Sequence, residues 1–188
     1  AHPFAGHGVW AWLVFAVLGV RSLVCLRGGD DRSADWAQFA WWLVWPVVAS
    51  LSCLWLAMHF ELALGWRLML AVLPWLLLVA ASIWRWSWLS APRGERFDGY
   101  RVALQSVLFT AVAAWWGLAQ FAPGGSAPLP WVPLLNPMEL AQLAVLALAA
   151  QCRRAGATAR AAAVARRIRV RHRGHAAHGA PLGWHRVG

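Results

Sequence analysis

The chain carries its apolar residues in long blocks separated by short polar segments. The blocks span about residues 9–26, 36–58, 68–89, 102–122 and 134–152. A helix needs about 20 apolar residues to cross the hydrocarbon core of a bilayer, which four blocks provide while the fifth is marginal. The blocks lack the alternation of barrel strands, and lipid offers no partner to unpaired backbone groups. The pattern predicts an all-α fold, a polytopic transmembrane helical bundle of about five helices within residues 1–152.

The composition is also typical of a membrane protein. Hydrophobic residues make up 61% of the chain and charged residues 13%, whereas soluble domains are nearer half apolar and a quarter charged. All 17 basic residues are Arg, and because Arg codons are GC-rich we expect a bacterial source. The chain starts at Ala1, and no basic segment precedes its first apolar block. We therefore expect a fragment of a longer protein.

The distribution of Arg predicts how the helices are oriented. The loops after the second and fourth blocks hold only Arg67. The loops after the first and third blocks hold Arg27, Arg32, Arg85, Arg93, Arg96 and Arg101. Loops rich in Lys and Arg remain in the cytoplasm. We expect a multi-pass protein of the bacterial inner membrane with its N-terminus outside.

Residues 133–142 contain a well-formed helix start. Asn136 suits the N-cap, Pro137 suits the first helical position, and Glu139 lies where it can reach back to the cap. Leu135 and Leu140 have the spacing of a hydrophobic staple. These features predict a capped helix at the membrane surface, with a ligand-binding role for Glu139 and Gln142 as the alternative.

The same segment carries a resemblance to a known family. The chain opens with HPFAGHGVWAW, continues through Trp-rich helices and reaches LPWVPLLNPMELAQ. This order resembles the large multi-pass bacterial membrane proteins grouped as domain-of-unknown-function family 2339. The signature positions are Pro133, Leu134, Leu135, Asn136, Pro137, Glu139, Leu140 and Gln142. The resemblance covers about residues 1–150 and implies that a longer parent protein exists, but it implies no activity and transfers no catalytic residue.

Residues 153–188 form a basic tail that differs from the rest of the chain. They hold nine of the 17 Arg and four of the seven His, and no acidic residue. A cationic arm, a short surface helix over residues 155–171 and a His metal site are possible interpretations. In GC-rich DNA, a shift of one base can also turn this segment into apolar sequence. We expect the tail to be disordered or frameshifted. We expect neither nucleic acid nor a metal ion to be its partner.

Polar residues inside the predicted helices are the candidates for a binding function. The main candidates are Arg21, Glu61, Gln105 and Gln120, with His59, Thr110 and Gln142 beside them. The first 150 residues contain no acid pair, Ser/His/Asp set, metal cluster or phosphate-binding glycine motif. We therefore assign no catalytic, cofactor or metal residue, and rank a membrane enzyme last.

The sequence is compatible with two functions. One is a structural or scaffolding segment of a larger cell-envelope protein, whose partners are the lipid bilayer and the remainder of its parent. The other is part of a transporter for a small or lipid-like solute. A transporter predicts that Arg21, Gln105, Gln120 and Gln142 converge on one internal cavity, whereas a scaffold predicts dispersed positions, each satisfied locally.

Overall fold

The apolar blocks fold as helices in the computed structural model. The structure describes residues 6–26, 32–91, 93–122 and 136–178, with side chains as far as Thr158. Every regular element within these residues is helical, which confirms the all-α prediction. The elements are α1 (Gly8–Cys25), α2 (Arg32–His59), α3 (Leu64–Trp84), α4 (Trp86–Ser90), a 3₁₀ helix (Gly94–Tyr100), α5 (Arg101–Ala119) and α6 (Pro137–His178).

Four segments are long and apolar enough to cross a membrane, which indicates a membrane-embedded protein. They are Gly8–Cys25, Arg32–His59, Leu64–Trp84 and Gly94–Ala119. They correspond to the first four apolar blocks. The fifth block forms the start of α6 but is not one of these four segments. Glu139, Gln142 and Gln151 reduce its apolar character, so its passage through the membrane stays a prediction.

The third block is divided into two helices rather than forming one over residues 68–89. α3 ends at Trp84, and Arg85 leaves helical geometry with φ −128° and ψ 41° before α4 begins. The break falls at a charged residue, Arg85, inside an otherwise largely apolar block. Pro92 follows α4 closely and disfavours helical geometry in the residue before it. The apolar block therefore ends in a short separate helix.

The main core lies between α2, α3, α5 and the first turns of α6. Leu104 and Leu108 of α5 are fully buried, and Val72 and Val79 of α3 belong to the same cluster. α6 adds Ala141, Val145 and Leu148, which the helical repeat places on one face. These residues are aliphatic, and buried Phe39 and Phe97 belong to the same cluster, so the centre of the bundle is filled mainly by apolar side chains.

α1 packs against α2 at a point where there is no room for a side chain. A Cβ built on Gly19 would overlap the ring of Trp41. Trp41 cannot easily give way, because Phe15 stacks on it at 5.4 Å and Trp45 meets it edge-on at 5.2 Å. Most of α1 is otherwise exposed in this structure, so Gly19 sets the approach of the two helices.

The chain divides into two compact units, residues Ala1–Ala149 and Ala150–Gly188. In the second unit the helical backbone of α6 continues to His178, where we had expected disorder to begin after residue 152. Ala and Arg are among the strongest helix formers, which accounts for this difference. The reading frame of the tail stays a prediction.

We expect Gly19→Ala to lower the thermal unfolding midpoint of the protein purified in nonionic detergent. Overpacking of this kind costs about 1–3 kcal/mol. Gly117→Ala is the matched control, because Gly117 is also helical and nothing lies within 4 Å of a Cβ added there. Equal midpoints for the two variants would contradict the close contact between α1 and α2.

Candidate functional site

Gln38 and Trp42 of α2 hold the end of α4. The Gln38 side chain is fully buried, and its Nε2 donates to the carbonyl oxygens of Leu89 at 2.8 Å, Ser90 at 3.1 Å and Ala91 at 3.1 Å. One turn further along α2, Trp42 Nε1 donates to the Leu89 carbonyl at 2.9 Å. The last carbonyls of a helix have no partner within it. Two side chains of another helix supply the missing donors here.

Arg93 joins the ends of three segments. Its Nε lies 2.6 Å from Asp35 Oδ1 at the start of α2, and its Nη1 donates to the Leu26 carbonyl, just after α1, at 2.6 Å. The Arg93 side chain is 1% exposed and that of Asp35 is 14% exposed. The contact between Arg93 and Asp35 is therefore a buried ion pair. Removing either partner would leave a buried charge uncompensated.

These residues, Asp35, Gln38, Trp42 and Arg93, form the Gln38 cluster. It lies where α1 ends, α2 begins and α4 ends, and therefore at one end of the bundle. Gln38, Trp42 and Arg93 donate to main-chain carbonyls, and Arg93 also forms an ion pair with Asp35. Gln38 Oε1 is buried and accepts no hydrogen bond from a described residue. The cluster is suited to fastening chain segments together.

A stack of aromatic side chains attaches the 3₁₀ helix to α4 at the same end. Trp86 stacks on Phe97 with ring centroids 5.8 Å apart, and Phe97 stacks on Tyr100 at 5.8 Å. Trp86 Nε1 donates to Asp98 Oδ1 at 2.6 Å, and the Arg101 guanidinium carbon lies 5.2 Å from the Trp86 ring centre. Phe97 is fully buried. The connection between α3 and α5 is thus a packed structure.

An apolar groove of about 250 Å³ opens between α2 and α3. Its wall is almost entirely apolar, and Trp88 of α4 closes one end by packing on Trp42 with ring centroids 5.1 Å apart. Both prolines that the sequence places inside helices, Pro46 and Pro74, line this groove. The groove thus brings together two prolines that lie in different helices.

The helix start at Asn136 has the geometry that the sequence predicts. Asn136 Oδ1 accepts a hydrogen bond from the Met138 backbone N–H at 3.2 Å, and Pro137 is the first residue of α6. Glu139 and Gln142 are half-buried in the first turns of that helix. Pro133 and Leu135 lie outside the described residues. The hydrophobic staple between Leu135 and Leu140 therefore stays a prediction. The observed cap explains Asn136 and Pro137 without a ligand.

The candidate intramembrane polar residues are dispersed. Gln105 of α5 donates through Nε2 to the Ser82 carbonyl of α3 at 3.1 Å, and exposed Gln120 donates to Trp116 in the preceding turn at 3.2 Å. Arg21 is exposed on α1, at a separate shallow groove. Glu61 lies outside the helices, in the turn between α2 and α3, with a left-handed φ of 50°. The structure does not bring these four residues together.

His59 and Thr110 also lie apart from any shared site. The His59 ring stacks on Trp55 of its own helix with centroids 5.3 Å apart, and Thr110 is exposed on α5. Among the described residues, no group of three His, Cys, Asp or Glu side chains could hold a metal ion. The tail histidines lie where no side chain is described.

Sequence reasoning missed the Gln38 cluster. Arg93 was counted only as a positive loop residue, and Asp35 and Gln38 were not singled out. The Gln38–Leu89 bond joins residues 51 positions apart, so no local spacing indicates it. The available signal was weaker: Asp35 and Gln38 are acidic and amide side chains at the start of an apolar helix, where each needs a partner.

No family model matches the chain, and no curated protein or solved structure matches it. The resemblance of about residues 1–150 to family 2339 therefore stays a prediction.

We expect Gln38→Leu to destabilise the protein, because the buried Ser90 carbonyl loses its side-chain donor, Gln38 Nε2. Leaving such a group unpaired costs about 1–3 kcal/mol. Gln120→Leu is the matched control: Gln120 is exposed and bonds only within its own helix, and such substitutions usually change stability by less than about 0.5 kcal/mol. Thermal midpoints of both variants in detergent test the difference, and a Gln38→Leu midpoint no lower than that of Gln120→Leu would contradict it.

Proposed function

We propose that this chain is a structural, scaffolding segment of a larger cell-envelope membrane protein. One observation carries the proposal: several polar side chains between the helices bind the backbone of a neighbouring helix. Ser50 of α2 donates to the Ala71 carbonyl at 2.6 Å, and Trp115 of α5 donates to the Leu68 carbonyl at 3.1 Å. Gln105 does the same at Ser82. Bonds of this kind fix the register of one helix against the next.

The alternative function is part of a transporter for a small or lipid-like solute. That function needs polar groups that converge on a path through the membrane. The separate positions of Gln105 and Gln120, each with its own backbone partner, and of Arg21, exposed on α1, favour the scaffold instead. The aliphatic packing around Leu104 and Leu108 provides further support, because Gln105, the polar side chain between them, is already bonded to the Ser82 carbonyl.

We also propose the inner membrane of a bacterium as the location, with the N-terminus outside. One end of the bundle is rich in Arg and is called the Arg-rich end. The ends of α1 and α3 and the beginning of α5 lie there, together with Arg85, Arg93, Arg96 and Arg101. This end would face the cytoplasm by the positive-inside rule. The resemblance to family 2339 supports a bacterial source and a longer parent protein.

A scaffold with a dry core predicts that Leu108→Cys does not react with a small charged thiol reagent from either side of the membrane. The variant is made in a background in which Cys25, Cys53 and Cys152 are replaced by Ala. Glu61→Cys, in the exposed turn, is the positive control for reaction. Size-exclusion chromatography confirms that both variants are folded. Reaction at Leu108→Cys at a rate near that of Glu61→Cys would overturn the scaffold and support a water-filled transport path.

The proposed orientation predicts opposite labelling of two exposed turn positions. In the same cysteine-free background, Glu61→Cys should react with a membrane-impermeant maleimide on intact spheroplasts. Glu95→Cys, in the 3₁₀ helix at the Arg-rich end, should react only after the membrane is permeabilised. The reverse pattern would show that the N-terminus faces the cytoplasm.

A further inference from the structure

We propose that the groove between α2 and α3 binds an acyl chain of an anionic phospholipid, whose phosphate is held by Arg85. This inference rests on the membrane location proposed above, but it does not depend on the scaffolding role. It assigns a ligand to a surface formed by Pro46, Pro74 and Trp88.

The groove has the chemistry of a lipid-chain site. Its volume is about 250 Å³, it is open on one side, and its wall is almost entirely apolar. A water molecule needs two to four polar partners, which this wall does not provide. In a bilayer the molecules next to an open apolar groove are lipids. The occupant that matches the shape and chemistry of the groove is therefore a hydrocarbon chain.

Arg85 lies at the end of the groove that Trp88 closes. Ala81 and Trp88 both line the groove, and Arg85 follows Ala81 by one helical turn and precedes Trp88 by three residues. The Arg85 backbone N–H binds the Ala81 carbonyl at 2.8 Å, and the Arg85 carbonyl accepts from the Trp88 N–H at 2.9 Å. The Arg85 residue is exposed, and its guanidinium is in no ion pair within the part of the chain that the structure describes.

The neighbouring tryptophans place Arg85 at the level of lipid headgroups. Trp84 is 63% exposed and Trp88 is 61% exposed. Exposed Trp side chains of membrane proteins concentrate at the interface, where the ring is in an apolar layer and the N–H is hydrated. A guanidinium at this depth meets phosphate groups and binds them by paired hydrogen bonds. One ligand can thus satisfy both the apolar groove and the cation at its end.

The charge at this end of the bundle favours an anionic lipid over a zwitterionic one. Arg32, Arg96 and Arg101 lie at the same end as Arg85. Residues 26–35 and 85–101 hold six Arg and five acidic residues. Of these acids, Asp35 pairs with Arg93, Asp98 accepts a hydrogen bond from Trp86, and Glu95 lies in the 3₁₀ helix. The exposed Arg85 and the small excess of positive charge around it attract the negatively charged lipids of a cytoplasmic leaflet. We therefore specify a phospholipid with a net negative headgroup, such as phosphatidylglycerol.

The test compares lipid binding by the full chain in dodecylmaltoside, using dioleoylphosphatidylglycerol and dioleoylphosphatidylcholine in mixed micelles. Bound lipid is counted by native mass spectrometry, and stabilisation is read from the thermal midpoint. We expect the wild type to prefer phosphatidylglycerol, and Arg85→Gln to weaken that binding about fivefold, as for one Arg near an anionic surface. Arg32→Gln, a second exposed Arg at the same end, should have a clearly smaller effect.

A second variant tests the groove itself. Ala49 lines it, and Ala49→Phe should fill it and weaken the binding of both lipids. The thermal midpoint without lipid shows whether this variant folds; if it does not, the comparison of Arg85→Gln with Arg32→Gln decides alone. Equal weakening by the two Arg variants, wild-type binding by a folded Ala49→Phe, or the same stabilisation by inorganic phosphate alone would overturn the proposal. Reaction at Leu108→Cys would overturn the scaffold and leave this result unaffected.

Discussion

The end of the bundle at which α4 stops depends on one constraint: the carbonyl groups at the end of α4 need hydrogen-bond donors. A chain that stops being helical near a membrane leaves its last carbonyls without partners, and lipid supplies none. Leu89, Ser90 and Ala91 present such carbonyls, and Gln38 donates to all three. The donor comes from α2, so the connection between α3 and α5 is held against the start of another helix. The end of α4 is therefore fixed against α2.

The need of main-chain carbonyls for donors also explains why Arg93 is buried. Arg93 follows α4 closely and extends the fastening to Leu26 and Asp35. α1 is thereby attached near its end by a charged side chain and along its length by the close approach of Gly19 to Trp41. The two contacts are of different kinds, one polar and one steric. Together they position a helix that contributes little to the main core.

Features set by local sequence could be predicted, and features set by distant contacts could not. The cap at Asn136 depends on adjacent residues, and the structure has the predicted Asn136–Met138 bond. The helical blocks follow from hydropathy, which is also local. The charged Arg85 marks the break within the third block, but the donors from α2 that hold the end of α4 come from far along the chain, and no local pattern indicates them. The joint groove of Pro46 and Pro74 requires the pairing of α2 with α3, which no periodicity specifies.

Polar residues in an apolar bundle are often interpreted as a binding site, but their partners decide whether that interpretation holds. Ser50, Gln105 and Trp115 each donate to a carbonyl of α3. A transport site needs polar groups whose bonds are exchanged with a solute, whereas a donor directed at a neighbouring backbone already has its partner. Sliding of α2 or α5 along α3 would break these bonds in a medium that offers no replacement. The cost of that sliding favours one fixed arrangement of helices, and a fixed arrangement is what a scaffold requires.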